Sequence, residues 1–376
     1  MTTSEIVEAV YVHVPFCRSL CGYCDFYSIV PSADVFRPWT DALLVELECY
    51  RKRIGLRVKT IYVGGGTPTS LPLAELARLV DALPAVEPVE FTVEANPATI
   101  TDDTAALLAD RGVNRVSIGA QSFDERELGV LERIHGPDEI GATVALCRRH
   151  GIEQISLDLI FGIPGQTSAS WGRSLEAALA LNPDHLSCYS LTYEPGTRLY
   201  ESLIAGTVTR ADPDLDADLY EQTIDTLTRA GYEHYEISNF ARSSRRCRHN
   251  LVYWRNEPYL GVGPSAAGYL DRVRYKNVAD VEQYVRKIAA GTSPRDEEEH
   301  RDLEGEMRDT AMLGLRTTDG MNRRRFQERF GSDPSVVFEY AIARNRERGL
   351  IEVTDNYVHL TRAGILLADQ VIADFL

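Results

Sequence analysis

Short runs of β-branched and aromatic residues recur along the first 240 residues, and each run ends in a polar or glycine-rich loop. We predict strands at the following six runs: 9–16, 59–66, 90–97, 114–121, 154–162 and 184–194. Amphipathic segments lie between these runs and predict helices at 36–54, 72–83, 101–111, 137–150 and 168–181. Strands that alternate with helices form parallel sheets. The pattern therefore predicts an α/β fold, built either as a doubly wound sheet or as an open, partial (β/α)6 barrel of the TIM type.

The hydrophobic pattern changes after the sixth predicted strand. It predicts a helix at 214–230 and a further strand at 234–241. Residues 249–270 are rich in aromatic residues and glycine and show no clear helical period. The acidic stretch 292–302 is typical of a linker or of a helix start. This middle part of the chain is therefore predicted to connect two folded units.

The second folded unit is predicted at the C-terminal end. From about residue 303 the pattern is helical, with a short hairpin at 350–361 and a closing helix after it. This order resembles a winged-helix arrangement. We therefore divide the chain into a barrel at 1–240, a connecting segment at 241–298 and a helical, winged-helix-like domain at 299–376.

Polar residues and glycines follow several of the predicted strands. The loops read GGGTP at 64–68, EANP at 94–97, GAQSF at 119–123 and DLIFGIPG at 158–165. In both architectures the carboxyl ends of parallel strands carry the functional site. Glycine and proline end strands in any fold, so a single loop of this kind would be uninformative. A series of such loops, most of them with acidic or amide side chains, predicts one shared site.

The charge balance excludes several classes of partner. The chain holds 40 Lys and Arg against 56 Asp and Glu, which gives a formal net charge of −16. Nucleic-acid binding needs a basic surface, so we expect no nucleic-acid partner even though MNRRR at 321–325 is basic. No apolar run approaches the length of a membrane span, and the first residues lack the basic and apolar regions of a secretory signal. We therefore expect a cytoplasmic protein.

Three of the seven cysteines lie close together, as Cys17-x3-Cys21-x2-Cys24. Cysteine thiolates are the usual ligands of iron–sulfur clusters, and three of them can hold three irons of a cubane cluster. The fourth iron is then open to substrate or cofactor. The alternative is zinc, which needs a fourth ligand such as His13, because the chain has no second C-x2-C pair. Buried, inert cysteines are a further alternative.

The segment VYVHVPFCRSLCGYCDFYS, residues 10–28, carries the CxxxCxxC signature of radical SAM proteins after the first predicted strand. It resembles the oxygen-independent coproporphyrinogen III oxidase-like branch of that superfamily. Further blocks resemble the same branch: GGGTPT (64–69), VEANP (93–97), RVSIGAQSF (115–123), RIHG (133–136) and LDLIFGIPGQT (157–167). The resemblance implies a partial six-unit barrel with a C-terminal helical domain. It also implies one [4Fe–4S] cluster on the three cysteines, with S-adenosylmethionine on the open iron.

The same resemblance implies a set of residues that bind S-adenosylmethionine. They are Tyr11, Tyr23, Gly65, Gly66, Thr67, Glu94, Gln121, Arg133 and Asp158. In this family the glycine-rich loop brings bare backbone close to the methionine amino group. The acidic and amide side chains accept hydrogen bonds from the amino group and the ribose hydroxyls. Arg133 pairs with the methionine carboxylate, and the two tyrosines pack on the cofactor.

Two departures separate this chain from the oxidases. The oxidases carry CxxxCxxCxC, whereas the position two after Cys24 is Phe26 here. The chain also has HNLVYW at 249–254, and both features resemble the HemW heme-chaperone subgroup of the branch. The residues implied for heme binding are His249, Cys247, Tyr253, Trp254, Arg246 and Arg248.

The chemistry of this set suits heme. Imidazole is a common axial ligand of heme iron, and Cys247 is a second candidate ligand. Tyr253, Trp254 and Tyr259 offer aromatic faces, and the arginines offer cations for the propionates. The structural alternative is a basic surface loop with a core Trp and a hydrogen-bonded His.

The sequence therefore predicts a chaperone that binds heme, carries a cluster and S-adenosylmethionine, and passes heme to an acceptor protein such as a respiratory enzyme. An electron donor is an expected partner. The enzymatic alternative is oxygen-independent oxidation of coproporphyrinogen III, which the missing fourth cysteine puts in doubt. A plain electron carrier is a weaker third alternative, because it would have no use for an S-adenosylmethionine site.

Overall fold

The computed structural model describes residues 6–83 and 90–376, and its centre is an open nine-stranded sheet. Residues 1–5 lie outside the described residues, so the structure describes only part of the segment in which no secretory signal is predicted. The strands are β1 (Ile6–Val14), β2 (Gly55–Gly65), β3 (Glu90–Ala95), β4 (Arg115–Gln121), β5 (Gln154–Phe161), β6 (His185–Ser190), β7 (Glu233–Glu236), β8 (Asn239–Ala241), β9 (Leu260–Val262), β10 (Ala267–Leu270), β11 (Val273–Asn277), β12 (Arg295–His300), β13 (Met321–Asn322), β14 (Ile351–Val353) and β15 (Tyr357–Leu360).

Strands β1 to β6 pair in chain order, and every one of these pairings is parallel. Strand β9 adds to the outer side of β1 in parallel, and β8 and β7 continue the sheet beyond β6 in antiparallel pairing. The two edges do not pair with each other in the described chain, so the sheet stays open. The predicted α/β fold with an open, partial barrel is confirmed.

The helices are α1 (Phe36–Arg53), α2 (Leu73–Ala82), α3 (Asp102–Asp110), α4 (Glu125–Val130), α5 (Pro137–Arg149), α6 (Ser168–Ala180), α7 (Arg198–Ile204), α8 (Pro213–Arg229), α9 (Arg248–Trp254), α10 (Val281–Ala289), α11 (Leu303–Gly314), α12 (Arg323–Phe330), α13 (Pro334–Val337), α14 (Glu339–Glu347), α15 (Arg362–Leu366) and α16 (Ala368–Ala373). Each predicted helix of the first 230 residues is present. Side-chain caps fix several starts: the Thr101 hydroxyl accepts the Thr104 N–H before α3, and the Asp212 carboxylate accepts the Asp214 N–H before α8. Among the described residues no helix is long and apolar enough to cross a bilayer.

Three local predictions were wrong. The single strand predicted at 234–241 is a hairpin, because the chain turns between β7 and β8. The acidic stretch at 292–302 meets the predicted helix start only at Asp302, which caps α11; most of the stretch is strand β12, which pairs with β11 although its side chains are almost all exposed. Residues 249–270 were expected to lack a helix, yet α9 covers the HNLVYW segment. All three elements are short, and each is held by a partner outside its own run of residues: β8 pairs with β6, β12 pairs with β11, and Glu90 accepts hydrogen bonds from the start of α9.

The C-terminal helices pack around a small sheet in which β15 lies between β13 and β14. The hairpin predicted at 350–361 is present, and these elements share a hydrophobic cluster of their own. Backbone and side-chain contacts join this part to the large sheet. The Ile237 N–H donates to the Arg316 carbonyl at 3.1 Å, and the Arg316 guanidinium donates to the buried Glu236 carboxylate at 2.8 Å.

Candidate functional site

The three clustered cysteines lie on the loop between β1 and α1, at the carboxyl end of β1. The base of this loop is closed by two backbone hydrogen bonds, Ile29 N–H to the Pro15 carbonyl at 2.7 Å and Cys17 N–H to the Ile29 carbonyl at 3.0 Å. All three thiols are partly exposed. The loop therefore presents Cys17, Cys21 and Cys24 together from a fixed base.

The surroundings of Cys17 and Cys24 disfavour the free thiolate. Burial raises the pKa of Cys17, and it raises the pKa of Cys24 to about 11. The Sγ atom of Cys17 lies 3.6 Å from the Thr67 hydroxyl, and Arg133 Nη1 lies 3.4 Å from Cys21 Sγ. A cationic metal centre would offset the cost of deprotonating these thiols.

A single zinc ion at the cysteine loop would need a fourth ligand beside the three thiols. In the described residues no group of three or more His, Cys, Asp or Glu side chains could hold one metal ion. Each thiolate of a cubane site binds a different iron, so its ligands stand further apart than those of zinc. His13 is also engaged: Nδ1 lies 2.9 Å from the Tyr11 hydroxyl and Nε2 lies 3.0 Å from the Tyr27 carbonyl. The zinc alternative thus lacks its fourth ligand.

The glycine-rich loop after β2 lies directly against the cysteine loop. A Cβ atom at Gly66 would stand 2.7 Å from the Phe16 carbonyl oxygen, so only glycine allows this approach. The Thr67 N–H donates to the same carbonyl at 2.8 Å, and this contact holds the Thr67 hydroxyl beside Cys17. Gly65 has φ +108°, a conformation that favours glycine. Part of the backbone in this loop is therefore used to fix the cysteine loop.

Glu94 lies at the end of β3 and is held by two donors. The Tyr62 hydroxyl donates to Oε1 at 2.7 Å, and the Gly65 N–H donates to Oε2 at 3.0 Å. Burial raises the pKa of Glu94 to about 7, against the lowering effect of the Tyr62 hydrogen bond. Tyr62 was not singled out from the sequence; its only signal was its place in β2, two residues before the glycines.

Gln121 lies at the end of β4, and Asp158 lies within β5. Gln121 has φ 64° and lies at a register shift between β4 and β5, so the strand turns its side chain out of the regular pleat. Its amide lies near Gly119, where a Cβ would stand 2.8 Å from Nε2. The Ser117 hydroxyl donates to Asp158 at 3.0 Å, and burial raises the pKa of Asp158. Ser117 is a second residue that the sequence reasoning missed.

Arg133 links the cysteine loop to the end of β4. Its Nη2 donates to the Gly119 carbonyl at 2.7 Å, while Nη1 faces Cys21. Its Nε is buried and, among the described residues, has no hydrogen-bond partner. Tyr23 lies beside the guanidinium, and burial raises the pKa of that tyrosine. An unpaired, buried guanidinium N–H next to the cluster ligands fits a carboxylate such as that of S-adenosylmethionine.

Tyr11 completes the set predicted for S-adenosylmethionine. Its hydroxyl contacts His13, its ring lies 6.3 Å from the ring of Tyr62, and burial raises its pKa. The structure therefore places the predicted residues on strands β1 to β5 and on the segments that follow β1, β2 and β4. Direct contacts join Thr67 with Cys17, Gly65 with Glu94, and Arg133 with both Cys21 and Tyr23.

The segment predicted for heme begins with helix α9, and its start is held by Glu90. The buried Glu90 carboxylate accepts the backbone N–H groups of Arg248 at 2.8 Å and His249 at 2.9 Å. Cys247 Sγ lies 3.4 Å from the same carboxylate, and burial raises the pKa of Cys247 to about 12. Glu90 therefore satisfies the free N–H groups of the helix N-terminus from inside the core.

His249 is fully enclosed, with 0% of its surface exposed. Its Nδ1 lies 2.9 Å from the Thr60 hydroxyl and its Nε2 lies 2.8 Å from the Tyr253 hydroxyl. Burial lowers its pKa to about 3, so the imidazole is neutral. Both ring nitrogens already have partners, so iron ligation by His249 would require α9 to separate from the sheet. In this structure His249 is therefore a hydrogen-bonded core residue, which is the structural alternative given for it in the sequence analysis.

The side chains of three other residues predicted to bind heme lie away from His249, in surroundings that differ from one to the next. Arg246 forms ion pairs with Glu233 at 3.2 Å and Asp319 at 2.5 Å. Arg248 is exposed, whereas Trp254 is partly buried under the guanidinium of Arg316 at 4.9 Å from the ring centroid. Cys247, His249 and Tyr253 are thus brought together in the core, whereas Arg246, Arg248 and Trp254 lie in other surroundings.

Two family models match this chain. The Radical SAM superfamily matches residues 11–178, and the HemN C-terminal domain matches residues 302–367. The heme chaperone HemW of Bacillus subtilis is 35% identical over 98% of this chain and 99% of its own length. The chain belongs to the HemW family of radical SAM proteins. The HemW of Escherichia coli is 40% identical over 69% of both chains.

The HemW-family chain also shares its fold with a solved structure. The coproporphyrinogen III oxidase HemN of Escherichia coli superposes with a TM-score of 0.84 over 99% of this chain and 90% of that one, at 24% identity. The Radical SAM match spans all three clustered cysteines, so it supports an iron–sulfur cluster and S-adenosylmethionine as cofactors of this site. At the position of the oxidases' additional cysteine, Phe26 is 67% exposed.

Proposed function

We propose that this chain is a heme chaperone on a radical SAM scaffold, which binds heme and passes it to an acceptor protein. The observation that carries the proposal is the similarity to a heme chaperone over 98% of the chain at 35% identity. The similarity to the oxidase HemN supports the fold, and Phe26 in place of a cysteine speaks against oxidase activity. The proposed acceptor is a heme protein such as a respiratory enzyme, and the proposed compartment is the cytoplasm.

We assign the cofactors to the site at the strand ends. Cys17, Cys21 and Cys24 hold a [4Fe–4S] cluster in this proposal, because one fixed loop presents all three of them partly exposed and the radical SAM match spans them. When bound, the cluster supplies an iron with an open coordination position and one-electron chemistry. An electron donor is therefore part of the proposal.

The side chains around the cluster bind and orient S-adenosylmethionine. Arg133 offers its unpaired Nε to the methionine carboxylate. Glu94, whose pKa is about 7, accepts hydrogen bonds from the amino group or ribose and is kept in place by Tyr62 and Gly65. The remaining proposed contacts are Tyr11, Tyr23, Gly66, Thr67, Gln121 and Asp158.

The proposed heme site lies in the part of the chain that carries α9. Cys247 and His249 are enclosed there, so either of them can ligate heme iron only if α9 moves away from the sheet. As folded, they anchor α9 to Glu90 and Thr60. The proposed division into a barrel, a connecting segment and a C-terminal domain places α9 at the junction of the two larger parts.

The proposal is tested by anaerobic reconstitution of the full chain with iron, sulfide and S-adenosylmethionine. Heme is then titrated and followed by the Soret band, and a parallel sample receives coproporphyrinogen III. We expect a saturable Soret shift and no protoporphyrinogen. Formation of protoporphyrinogen would favour the oxidase alternative, and a Soret band that never departs from that of free heme would contradict the chaperone.

A further inference from the structure

A β-bulge at the end of β4 shapes the part of the site that holds Gln121. Gly119 pairs with Asp158 of β5 and Gln121 pairs with Leu159, so Ala120 is skipped in the pairing of these two strands. The main chain then takes the left-handed conformation at Gln121, where φ is 64°. A residue other than glycine is strained in this conformation, so contacts from elsewhere in the fold must hold it.

Two side chains of the RIHG segment bind the main chain of this bulge. Arg133 Nη2 donates to the Gly119 carbonyl at 2.7 Å, and His135 Nε2 lies 3.1 Å from the Ala120 carbonyl. A carbonyl oxygen only accepts hydrogen bonds, so Nε2 of His135 carries the proton in this contact. Ile134 between them is 49% exposed. Arg133 and His135 therefore both turn inward and hold consecutive carbonyl groups of β4.

His135 differs from a core histidine whose nitrogens are both paired. His185 is such a residue, with its nitrogens at 2.9 Å from the Ser156 hydroxyl and 2.7 Å from the Tyr235 hydroxyl. His135 is 4% exposed, and its Nδ1 is buried with no hydrogen-bond partner among the described residues. Burial and the nearby Arg133 guanidinium lower the pKa of His135 to about 4, so the ring is neutral. Because an unpaired buried nitrogen costs free energy, packing alone does not account for a histidine at this position.

The contact of His135 acts directly on the conformation of Gln121. The Ala120 carbonyl belongs to the peptide group that leads into Gln121, so the orientation of this carbonyl sets φ of Gln121. The Ser122 N–H donates to the same carbonyl at 2.8 Å, but that bond lies within the bulge itself. A Cβ atom at Gly119 would stand 2.8 Å from Gln121 Nε2, so the bulge brings the amide over this glycine. The place of the amide therefore depends on the peptide group that His135 holds.

We propose that His135 is a positioning residue of the S-adenosylmethionine site, which holds the bulge of β4 and thereby aims Gln121 at the cofactor. The inference rests on the proposed function, in which Gln121 contacts S-adenosylmethionine. In this role His135 acts through the Ala120 carbonyl and needs no contact with the cofactor. Arg133 holds the neighbouring carbonyl and offers its unpaired Nε to the cofactor. The RIHG segment thus supplies one binding and one positioning side chain.

The test measures the affinity of the reconstituted full chain for S-adenosylmethionine by equilibrium dialysis, in a double-mutant cycle of His135→Phe and Gln121→Ala. His135→Phe keeps a ring of similar size but removes the N–H donor, whereas His135→Gln keeps a donor for the Ala120 carbonyl. His234→Phe is the matched control, because His234 Nε2 also lies 3.1 Å from a carbonyl, that of Ile237, but on β7. Iron content is measured for every protein, so that affinities are compared at equal cluster loading.

We expect His135→Phe and Gln121→Ala each to weaken binding about tenfold, and the double variant to bind no more weakly than either. His135→Gln should stay within about threefold of the wild type, and His234→Phe should bind like the wild type. The inference is overturned if either single variant of the cycle binds like the wild type, or if the two effects multiply in the double variant. It is also overturned if His135→Gln is as weak as His135→Phe, or if His234→Phe weakens binding equally. These outcomes leave the proposed function in place, whereas a wild type that binds no S-adenosylmethionine contradicts the proposed function and the inference with it.

Discussion

The Nδ1 atom of His249 lies 2.9 Å from the Thr60 hydroxyl, which ties the HNLVYW segment to the second strand of the sheet. The same imidazole lies 5.3 Å from the ring of Tyr62, centroid to centroid. Tyr62 in turn donates to Glu94 at the strand ends. The HNLVYW segment therefore packs against the residue that positions a proposed S-adenosylmethionine contact.

Replacing His249 should destabilise the fold. His249→Ala leaves a cavity and removes both ring hydrogen bonds, so we expect a loss of about 2–4 kcal/mol in the free energy of unfolding. His300 is exposed on β12, and His300→Ala should change it by less than about 0.5 kcal/mol. Denaturant unfolding followed by tryptophan fluorescence measures both. Equal stability of the two variants would contradict the structural role of His249.

The burial of His249 also predicts a pH dependence. Its pKa of about 3 in the folded chain is below the value of about 6.5 for an unfolded chain, so the unfolded state binds the proton more tightly. The stabilisation is complete above about pH 6.5 and falls by about 1.4 kcal/mol per unit as the pH drops towards 3.

His249→Gln keeps a hydrogen-bonding side chain but cannot titrate. Its free energy of unfolding should therefore decline less steeply than that of the wild type between about pH 6.5 and 5. Parallel slopes for the two proteins over this interval would show that His249 does not titrate as proposed.

The cluster assignment predicts a clear contrast among cysteine variants. Cys17→Ser, Cys21→Ser and Cys24→Ser each remove one of three iron ligands, so we expect iron and sulfide content after reconstitution to fall to a small fraction of wild type. Cys49 is exposed on α1, and Cys49→Ser should retain the full content. Loss of iron from the Cys49 variant, or its retention in the other three, would argue against the assignment.

Arg133 should control the affinity for S-adenosylmethionine. Arg133→Gln removes the charged donor proposed for the methionine carboxylate, which should weaken binding about ten- to a hundredfold while iron content stays unchanged. Arg126→Gln changes an exposed residue of α4 and serves as the control. Equilibrium dialysis with labelled cofactor gives both affinities. Wild-type affinity in the Arg133 variant would remove this contact from the proposal.

The sequence predicted those parts of the fold that local pattern determines. The strands from β1 to β6 are apolar runs that end in glycine or polar residues, and each lies within or overlaps its predicted range. Strand β12 reads RDEEEH and has almost no apolar face, so its pairing with β11 leaves no periodic signal. Helix α9 is short and depends on Glu90, which lies more than 150 residues earlier.

The candidate site shows the same division. The cysteine spacing indicated the cluster, because ligand type and spacing are local properties of the chain. The burial of Cys247 and His249 could not be read from their residue types, since both suit heme iron and both suit a core. Their partners Glu90 and Thr60 lie on other strands, so the hydrogen bonds that enclose them arise only from tertiary packing.

The measurement that tests the central claim most directly is heme transfer. The reconstituted full chain is loaded with one equivalent of heme and mixed with an excess of a heme-free acceptor protein, and the Soret spectra of both proteins are followed with time. The account predicts that heme binds stoichiometrically and then moves to the acceptor, with the chain returning to its heme-free spectrum. A chain that takes up no heme, or that keeps its heme in the presence of excess acceptor, would contradict a chaperone.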